Sequence, residues 1–473
     1  MALKTSRAEN ENGGESLGVF ARLGMALADW AQRWFPDAFV FALGALVIVA
    51  LAALSIGTPA RDVVKFFGDG FWSLIPFTMQ MAIIIIGGYI VASSPPVHRL
   101  IRWLASLPRT PRGAVVFVAF FSMISSLVSW GLSLIFSGIL AREVVRNVRG
   151  IDYRAMGAAA YLGTGTVWAL GLSSSAALVM ATPSSIPTAL LRISGVIPLS
   201  ATIYTWQSMT TAVILICSTL AVAYLSTPAS STRTAESFGV TTGLEMPTLE
   251  QRQTPAEWLE YTPLLSILIG LLGFAYLAQV FAVRGPVAAL DLNTYNLLFL
   301  MAGLLLHWRP RSFIRAVQNA VPATAGVLIQ FPFYGGIFGI ITLSAISREL
   351  AQFFVNFSST NTYPVLVAIY SGVLGLFVPS GGSKWIIEAP YVLQAAKDLQ
   401  VNLGWVVQIY NTAEALPNLV NPFWMLPLLG ILKVKARDLI GFGLVYLMVN
   451  SVLVVFLMWF FARTFAYVPP MIP

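Results

Sequence analysis

The chain has 473 residues, 57% hydrophobic and only 10% charged, with a net charge of +8 and a mean hydropathy of +0.78. Soluble domains carry about 25% charged residues, so this composition excludes an ordinary soluble enzyme and predicts an all-α polytopic membrane protein. The single cysteine, Cys217, excludes a disulfide framework and cysteine-based metal sites; its apolar surroundings predict a small buried side chain.

Residues 1–16 are polar, and 17–35 place apolar residues at helical spacing around Arg22, Asp29 and Arg33. That pattern predicts an amphipathic helix lying on the membrane surface, within a cytoplasmic N-terminal segment, 1–37. A helix needs about 20 apolar residues to span a bilayer. By that measure spans fall at 38–57, 72–92, 155–180 and 203–225, forming a first membrane repeat (38–225). A second repeat (263–473) holds spans at 263–282, 293–307, 321–343, 404–430 and 439–462. Between the repeats, 226–262 is rich in Ser, Thr, Glu and Pro and reads as a polar cytoplasmic linker. Two further apolar stretches, 113–141 and 363–396, are too long for one crossing and carry Ser, Gly or Pro near their middles. They are expected to be re-entrant hairpins, giving about nine spanning helices plus two hairpins.

Charge tests this layout. With a cytoplasmic N-terminus and hairpins that do not cross, most of the 28 Lys and Arg fall on the inner side. Only Arg61, Lys65, Arg192, Arg284, Arg348, Lys384, Lys397 and Arg463 are left outside, as the positive-inside rule requires. The basic residues are thus topology signals, not a nucleic-acid footprint. The halves also share a pattern: Met79-Gln-Met-Ala-Ile-Ile-Ile-Ile-Gly-Gly88 is similar to Ile329-Gln-Phe-Pro-Phe-Tyr-Gly-Gly336. Each is followed by a hairpin and then a broken span. An odd number of crossings separates the halves, which predicts an inverted repeat.

Polar interruptions at membrane depth survive only where they are buried in protein or line a cavity. At the hairpin tips, Ser129, Gly131 and Ser133 in the first half and Ser380, Gly381, Gly382 and Ser383 in the second let the chain turn. They also expose backbone N–H groups, which favour a carboxylate. Small residues that merely allow close helix packing are the competing reading. The broken spans carry Thr164, Thr166, Ser173, Ser174 and Ser175 in one half and Asn411, Thr412, Glu414, Asn418 and Asn421 in the other. Asn418 and Asn421 share a helical face, and Pro417 and Pro422 free carbonyls. Thr164, Glu414, Asn418 and Asn421 are the candidate ligands of a coupling cation or proton, because an intramembrane acid is a functional candidate. Lys384 and Glu388, four apart, either pair locally or leave Lys384 to attract the substrate anion. Gln80 and Gln330 read as interhelical partners or pathway residues. His98 and His307 lie at span ends and are expected to be solvated, and the Trp and Tyr residues to be mostly interface anchors.

In order along the chain, Gly68-Asp-Gly-Phe-Trp72, Met79-Gln-Met81, Val378-Pro-Ser-Gly-Gly382 with Trp385, and Glu414, Asn418 and Pro422-Phe-Trp424 carry a resemblance. Over about Trp34 to Phe461 the chain resembles the bacterial short-chain fatty acid transporter family, of the larger ion-transporter superfamily. It departs from the family pattern at Ser383-Lys384, where Gly-His is expected, and at Glu388 and Asn421, where Gln is expected. The resemblance implies uptake of monocarboxylates such as acetoacetate or butyrate across the bacterial inner membrane. It also implies a homodimer with two re-entrant hairpins per subunit and an elevator-type motion. On this reading the substrate is held by Ser129, Gly131, Ser173, Ser174, Ser380, Gly381, Gly382, Ser383 and Lys384. No nucleotide loop, metal-ligand cluster or nucleophile–base pair is present, so no cofactor is expected beyond a coupling Na⁺ or H⁺. Rival readings are a dicarboxylate carrier or ion exchanger of the same superfamily, a passive channel, and a membrane-embedded enzyme.

Overall fold

The computed structural model describes residues 38–228, 233–240, 252–378 and 380–470. The surface helix expected at 17–35, and Pro379, lie outside the described residues. A chain this apolar can satisfy its backbone in lipid only through helices or a closed barrel; the described residues form helices and no strand.

In the first half, α1 (Ala38–Ser55) leads to α2 (Ala60–Ser73) and α3 (Ile75–Ala92). The last two make one long helix bent at Leu74, where Pro76 brings no N–H to the ladder. A short amphipathic helix, α4 (Pro95–Ala105), precedes α5 (Pro111–Val128) and α6 (Trp130–Asn147), which pack on one another. One extended residue, Ser129, separates them, and its Oγ accepts from the Leu132 N–H at 3.3 Å. Next, α7 (Tyr153–Leu162) loosens into a π turn over Gly163–Val167 and a 3₁₀ turn over Trp168–Leu170, then resumes as α8 (Ser175–Ala181). The π turn sits where α5 comes closest: the Gly163 N–H donates to Ser122 Oγ at 3.0 Å. A Cβ on Gly163 would lie 2.7 Å from the Ser122 carbonyl carbon. In the most apolar stretch of this span 89% of residues are buried, so protein rather than lipid surrounds the break. The short α9 (Thr188–Ser194) and the long α10 (Trp206–Ser226) complete the half.

The described part of the linker is docked rather than free: Arg233 O accepts from the Tyr153 N–H at 2.8 Å, and the Phe238 ring lies 5.7 Å from that of Tyr153. A helical turn, α11 (Glu257–Tyr261), precedes α12 (Leu264–Arg284) and α13 (Leu292–His307). Then come α14 (Pro310–Ala320), a 3₁₀ turn with Pro322, and α15 (Ala325–Leu343). The amphipathic α16 (Ile346–Phe357), α17 (Tyr363–Phe377) and α18 (Gly381–Asp398) follow. Finally α19 (Leu403–Ala415) breaks at a 3₁₀ turn over Leu416–Leu419 before α20 (Leu426–Leu432) and α21 (Ala436–Ala462). The order of elements matches the first half: a long helix bent near a proline, a short amphipathic helix, a helix–tip–helix pair, a broken helix and a final long helix.

Among the described residues, seven helices are long and apolar enough to cross a membrane; α13, α17 and the described part of α1 are shorter apolar helices. Packing centres on α2 against α15, where Gly70 faces Gly339, and on α17 against α19. Three expectations are corrected. Cys217 is exposed on α10, because the outer face of a membrane helix is as apolar as its inner face. His98 and His307 are buried, and the His307 ring bonds both Ser312 Oγ (2.9 Å) and Ile90 O (2.8 Å). Many aromatic residues, among them Trp130, Trp168, Trp385, Trp405 and Tyr410, are core rather than interface.

Candidate functional site

Both tips and both breaks converge. The 3₁₀ turn after α19 packs on the π turn after α7, and the Asn418 amide donates to Thr164 O at 3.4 Å. The tip of the second pair enters the same place. A Cβ on Gly381 would lie 3.0 Å from Trp168 Cζ2 and 3.2 Å from Glu414 Oε2. One on Gly382 would lie 3.1 Å from Ser175 Cβ. Only a tip without side chains reaches this depth. It is held there by the Tyr410 hydroxyl, which donates to Gly381 O at 2.8 Å.

Between these elements lies a cavity with about 20 Å³ open to the centre of a water molecule, room for a water or a small cation. The first half lines it with Met81, Trp130, Thr164, Trp168 and Ser175. The second half contributes Val327, Phe331, Ser380, Gly381, Gly382, Asn418 and Trp424. None of the described lining residues carries a charge. Gly381 and Gly382 are the first two residues of α18, whose N–H groups have no acceptor within the helix. Among the described residues, Thr164 Oγ1, Asn418 Oδ1 and the Trp130 and Trp168 indole nitrogens are buried without a hydrogen-bond partner. The site therefore offers N–H donors on one hand and unpartnered oxygens on the other.

Of the residues expected to bind substrate, Ser380, Gly381 and Gly382 line the cavity. The others stand behind it. Ser383 bonds Ser380 through their hydroxyls. Ser129 caps α6, and Ser173 Oγ accepts from the Trp130 N–H at 2.9 Å, fixing the first tip. Ser174 is buried at the start of α8 with no partner for its hydroxyl. Gly131 packs against α3, its absent Cβ 3.4 Å from Ile84 O, so close packing accounts for it. Lys384 takes the local-pair reading: its ammonium donates to Glu388 Oε1 and Ser371 O, each at 2.9 Å, and lies 4.5 Å from the Tyr410 ring centre. Ser371 Oγ in turn donates to Glu388 Oε2 at 2.8 Å. This lysine staples α17 to α18 and is not a free cation.

Of the residues expected to serve the coupling ion, Thr164 and Asn418 line the cavity. Glu414 is buried near the tip, and neither carboxylate oxygen has a hydrogen-bond partner among the described residues. Asn421 is half-buried and holds backbone: it donates to Leu376 O (3.3 Å) and accepts from the Phe423 N–H (2.9 Å). Gln80 proves an interhelical partner, bonded to Asn293 and Ser185 at 2.7 Å each. Sequence reasoning missed Trp130 and Trp168. The available signal was position: Trp130 directly follows Ser129 at a tip, and Trp168 follows Thr166 by two residues in a broken span, neither standing at a span end.

Comparison with known proteins agrees with this architecture. A family model described as short chain fatty acid transporter matches residues 19–461. An Escherichia coli (strain K12) protein provisionally named a short-chain fatty acid transporter is 35% identical over 441 residues, 92% of this chain and 99% of that protein. A Haemophilus influenzae protein of the same provisional name is 33% identical over 437 residues, 90% of this chain and 96% of its own. Among solved structures, the Alcanivorax borkumensis YdaH transporter superposes with a TM-score of 0.60 at 13% identity, covering 92% of this chain and all of that one. Neisseria gonorrhoeae MtrF, from work on a class of antimetabolite efflux pumps, gives 0.54 at 12% identity, covering 95% and 98%. These two share the fold. The near full-length family match and the two relatives above 30% identity establish that this chain belongs to the short-chain fatty acid transporter family.

Proposed function

We propose that this protein is a secondary active transporter that carries short-chain monocarboxylates, such as butyrate or acetoacetate, across the bacterial inner membrane, driven by Na⁺ or H⁺. The observation that carries the reading is the cavity between the two tips and two breaks, uncharged yet lined by residues whose side-chain N–H donors and oxygens are unpartnered among the described residues. A carboxylate suits the donors at the start of α18. An alkyl tail of a few carbons suits Met81, Val327 and Phe331. Na⁺ or H⁺ would use Thr164, Asn418 and Glu414, whose oxygens are unpartnered.

On this reading α5–α6 and α17–α18 are re-entrant hairpins and the halves form an inverted repeat. The hairpin-bearing part moves against a scaffold containing α1 and α13, in each subunit of a homodimer. The cavity in this conformation is smaller than a four-carbon acid, so substrate entry requires its walls to separate. A dicarboxylate would need a second cationic partner. The uncharged lining and the engaged Lys384 favour a singly charged substrate.

The test is purified protein in liposomes with labelled butyrate, under a Na⁺ gradient and separately a pH gradient. Accumulation above equilibrium in one condition is expected and names the ion. Equilibration without accumulation would indicate a passive channel, and competition by succinate as strong as by unlabelled butyrate would indicate a dicarboxylate carrier.

A further inference from the structure

The sequence left Lys384, the one obvious cation at depth, either paired with Glu388 or facing an anionic substrate, and in the structure it is engaged locally. Its ammonium is satisfied by Glu388, Ser371 O and the Tyr410 ring, and it does not line the cavity. A buried carboxylate still needs donors, since an ion without them loses its hydration with nothing in return. Of the three tryptophans that line the cavity, two stand at junctions of the first half: Trp130 opens α6 immediately after the first tip, and Trp168 stands at the break after α7. They are 6% and 5% exposed, and neither indole N–H has an acceptor among the described residues. An indole nitrogen can only donate, and a buried donor in a native structure almost always has a partner.

Their positions are fixed by other contacts. The Ser173 hydroxyl holds the Trp130 backbone N–H, and the Trp424 ring meets the Trp130 ring edge-on at 5.1 Å. The six-membered ring of Trp168 lies against Gly381, at the start of α18.

Resting on the reading above, we infer that the Trp130 and Trp168 indole N–H groups, together with the first-turn N–H groups of Gly381 and Gly382, bind the substrate carboxylate without a cationic side chain. Neutral donors select the acid over neutral analogues, because a hydrogen bond to a charged acceptor is about twice as strong as one between neutral groups. They also leave a second carboxylate unmatched, so the site is specific for monoacids. Each indole contributes about ten- to a hundredfold in affinity, the range of a hydrogen bond to a charged group.

The experiment is equilibrium binding of labelled butyrate to the purified protein, competed by unlabelled butyrate and by butyramide, which has the same shape but no charge. Wild type should prefer the acid. Trp130→Phe and Trp168→Phe should each lose about tenfold or more in butyrate affinity, in protein that stays folded and monodisperse. Both should change little toward butyramide, so that the acid-to-amide preference narrows. If a Phe variant fails to insert, 3-benzothienylalanine at the same position, which replaces the N–H by sulfur in a ring of the same shape, should give the same loss. Unchanged butyrate affinity in both positions overturns the inference while leaving the transport reading intact. So does an acid preference that survives the tryptophan changes and disappears in Lys384→Gln/Glu388→Gln. Wild-type protein that binds no short-chain monoacid overturns both, and that failure is recognisable because it precedes any substitution.

Discussion

Lys384 and Glu388, one turn apart on α18, form a 2.9 Å ion pair with side chains 1% and 0% exposed, and the Ser371 backbone and hydroxyl bridge both from α17. Two charges removed from water in this way lock α17 to α18, because either alone would be a stranded buried charge.

Breaking that pair should therefore destabilise the protein far more than removing it. Lys384→Met is expected to cost about 3–5 kcal/mol, and Lys384→Met with Glu388→Leu much less, since no uncompensated charge remains. Thermal unfolding of purified variants measures both. A double variant as unstable as the single would show that the pair is not the source.

The tip of α18 tolerates no side chain. Gly381→Val would press on Trp168 and Glu414, and overpacking of this kind costs about 1–3 kcal/mol, enough to push the tip out of the cavity. Butyrate uptake should fall tenfold or more while membrane insertion and detergent monodispersity persist. Normal uptake would separate this tip from the pathway.

Asn418 joins the two breaks through its bond to Thr164 O, and its own carbonyl oxygen is unpartnered. Asn418→Ala should abolish gradient-driven uptake in liposomes without unfolding the protein. Glu414→Gln, which keeps the shape and removes the charge, should spare butyrate exchange across the vesicle membrane but lose accumulation. Retained accumulation in Glu414→Gln would remove this carboxylate from coupling.

The contact of α2 with α15 depends on backbone approaching backbone. A Cβ on Gly70 would lie 2.7 Å from Gly339 Cα, so Gly70→Leu overpacks the contact, at a cost of about 3 kcal/mol or more, and is expected to lower the thermal midpoint markedly. Gly44, on α1, has open space around it; Gly44→Ala at that position is the control and should change little.

His98, on the amphipathic α4, carries a depressed basicity because burial penalises its charged form, reinforced by Arg102; Glu143 opposes this. The unfolded chain then binds the proton more readily than the folded one. Stability is present above the ordinary histidine value of about 6.5 and declines as pH falls through the folded value. Unfolding midpoints between pH 7 and pH 5 should drop for the wild type and drop less for His98→Phe. Parallel curves would dismiss His98 as the titrating group.

The spans were legible because lipid demands an unbroken apolar helix of fixed length: 203–225, 263–282 and 439–462 agree closely with α10, α12 and α21. Both helix breaks were legible for the complementary reason. Gly163-Thr-Gly-Thr and Leu416-Pro-Asn-Leu cannot stay in lipid as regular apolar helix, so a polar interruption there signals a protein-lined site. Packing faces were not legible. In a membrane protein both faces of a helix are apolar, so hydropathy could not say that Cys217 looks outward or that Trp130 and Trp168 look inward.

The sequence by itself determined the class of protein, the helices, the two tips, the two breaks and the Lys384–Glu388 spacing, all of which depend on local composition and helical period. Only the tertiary structure decided which polar groups meet. Thr164 and Asn418, Trp168 and Gly381 come from opposite halves of the chain, and their encounter is set by how whole helices pack. The same packing engaged the lysine with its glutamate and left the Trp130 and Trp168 indoles without an acceptor among the described residues, so the character of the site, uncharged and rich in donors, exists only in the folded chain.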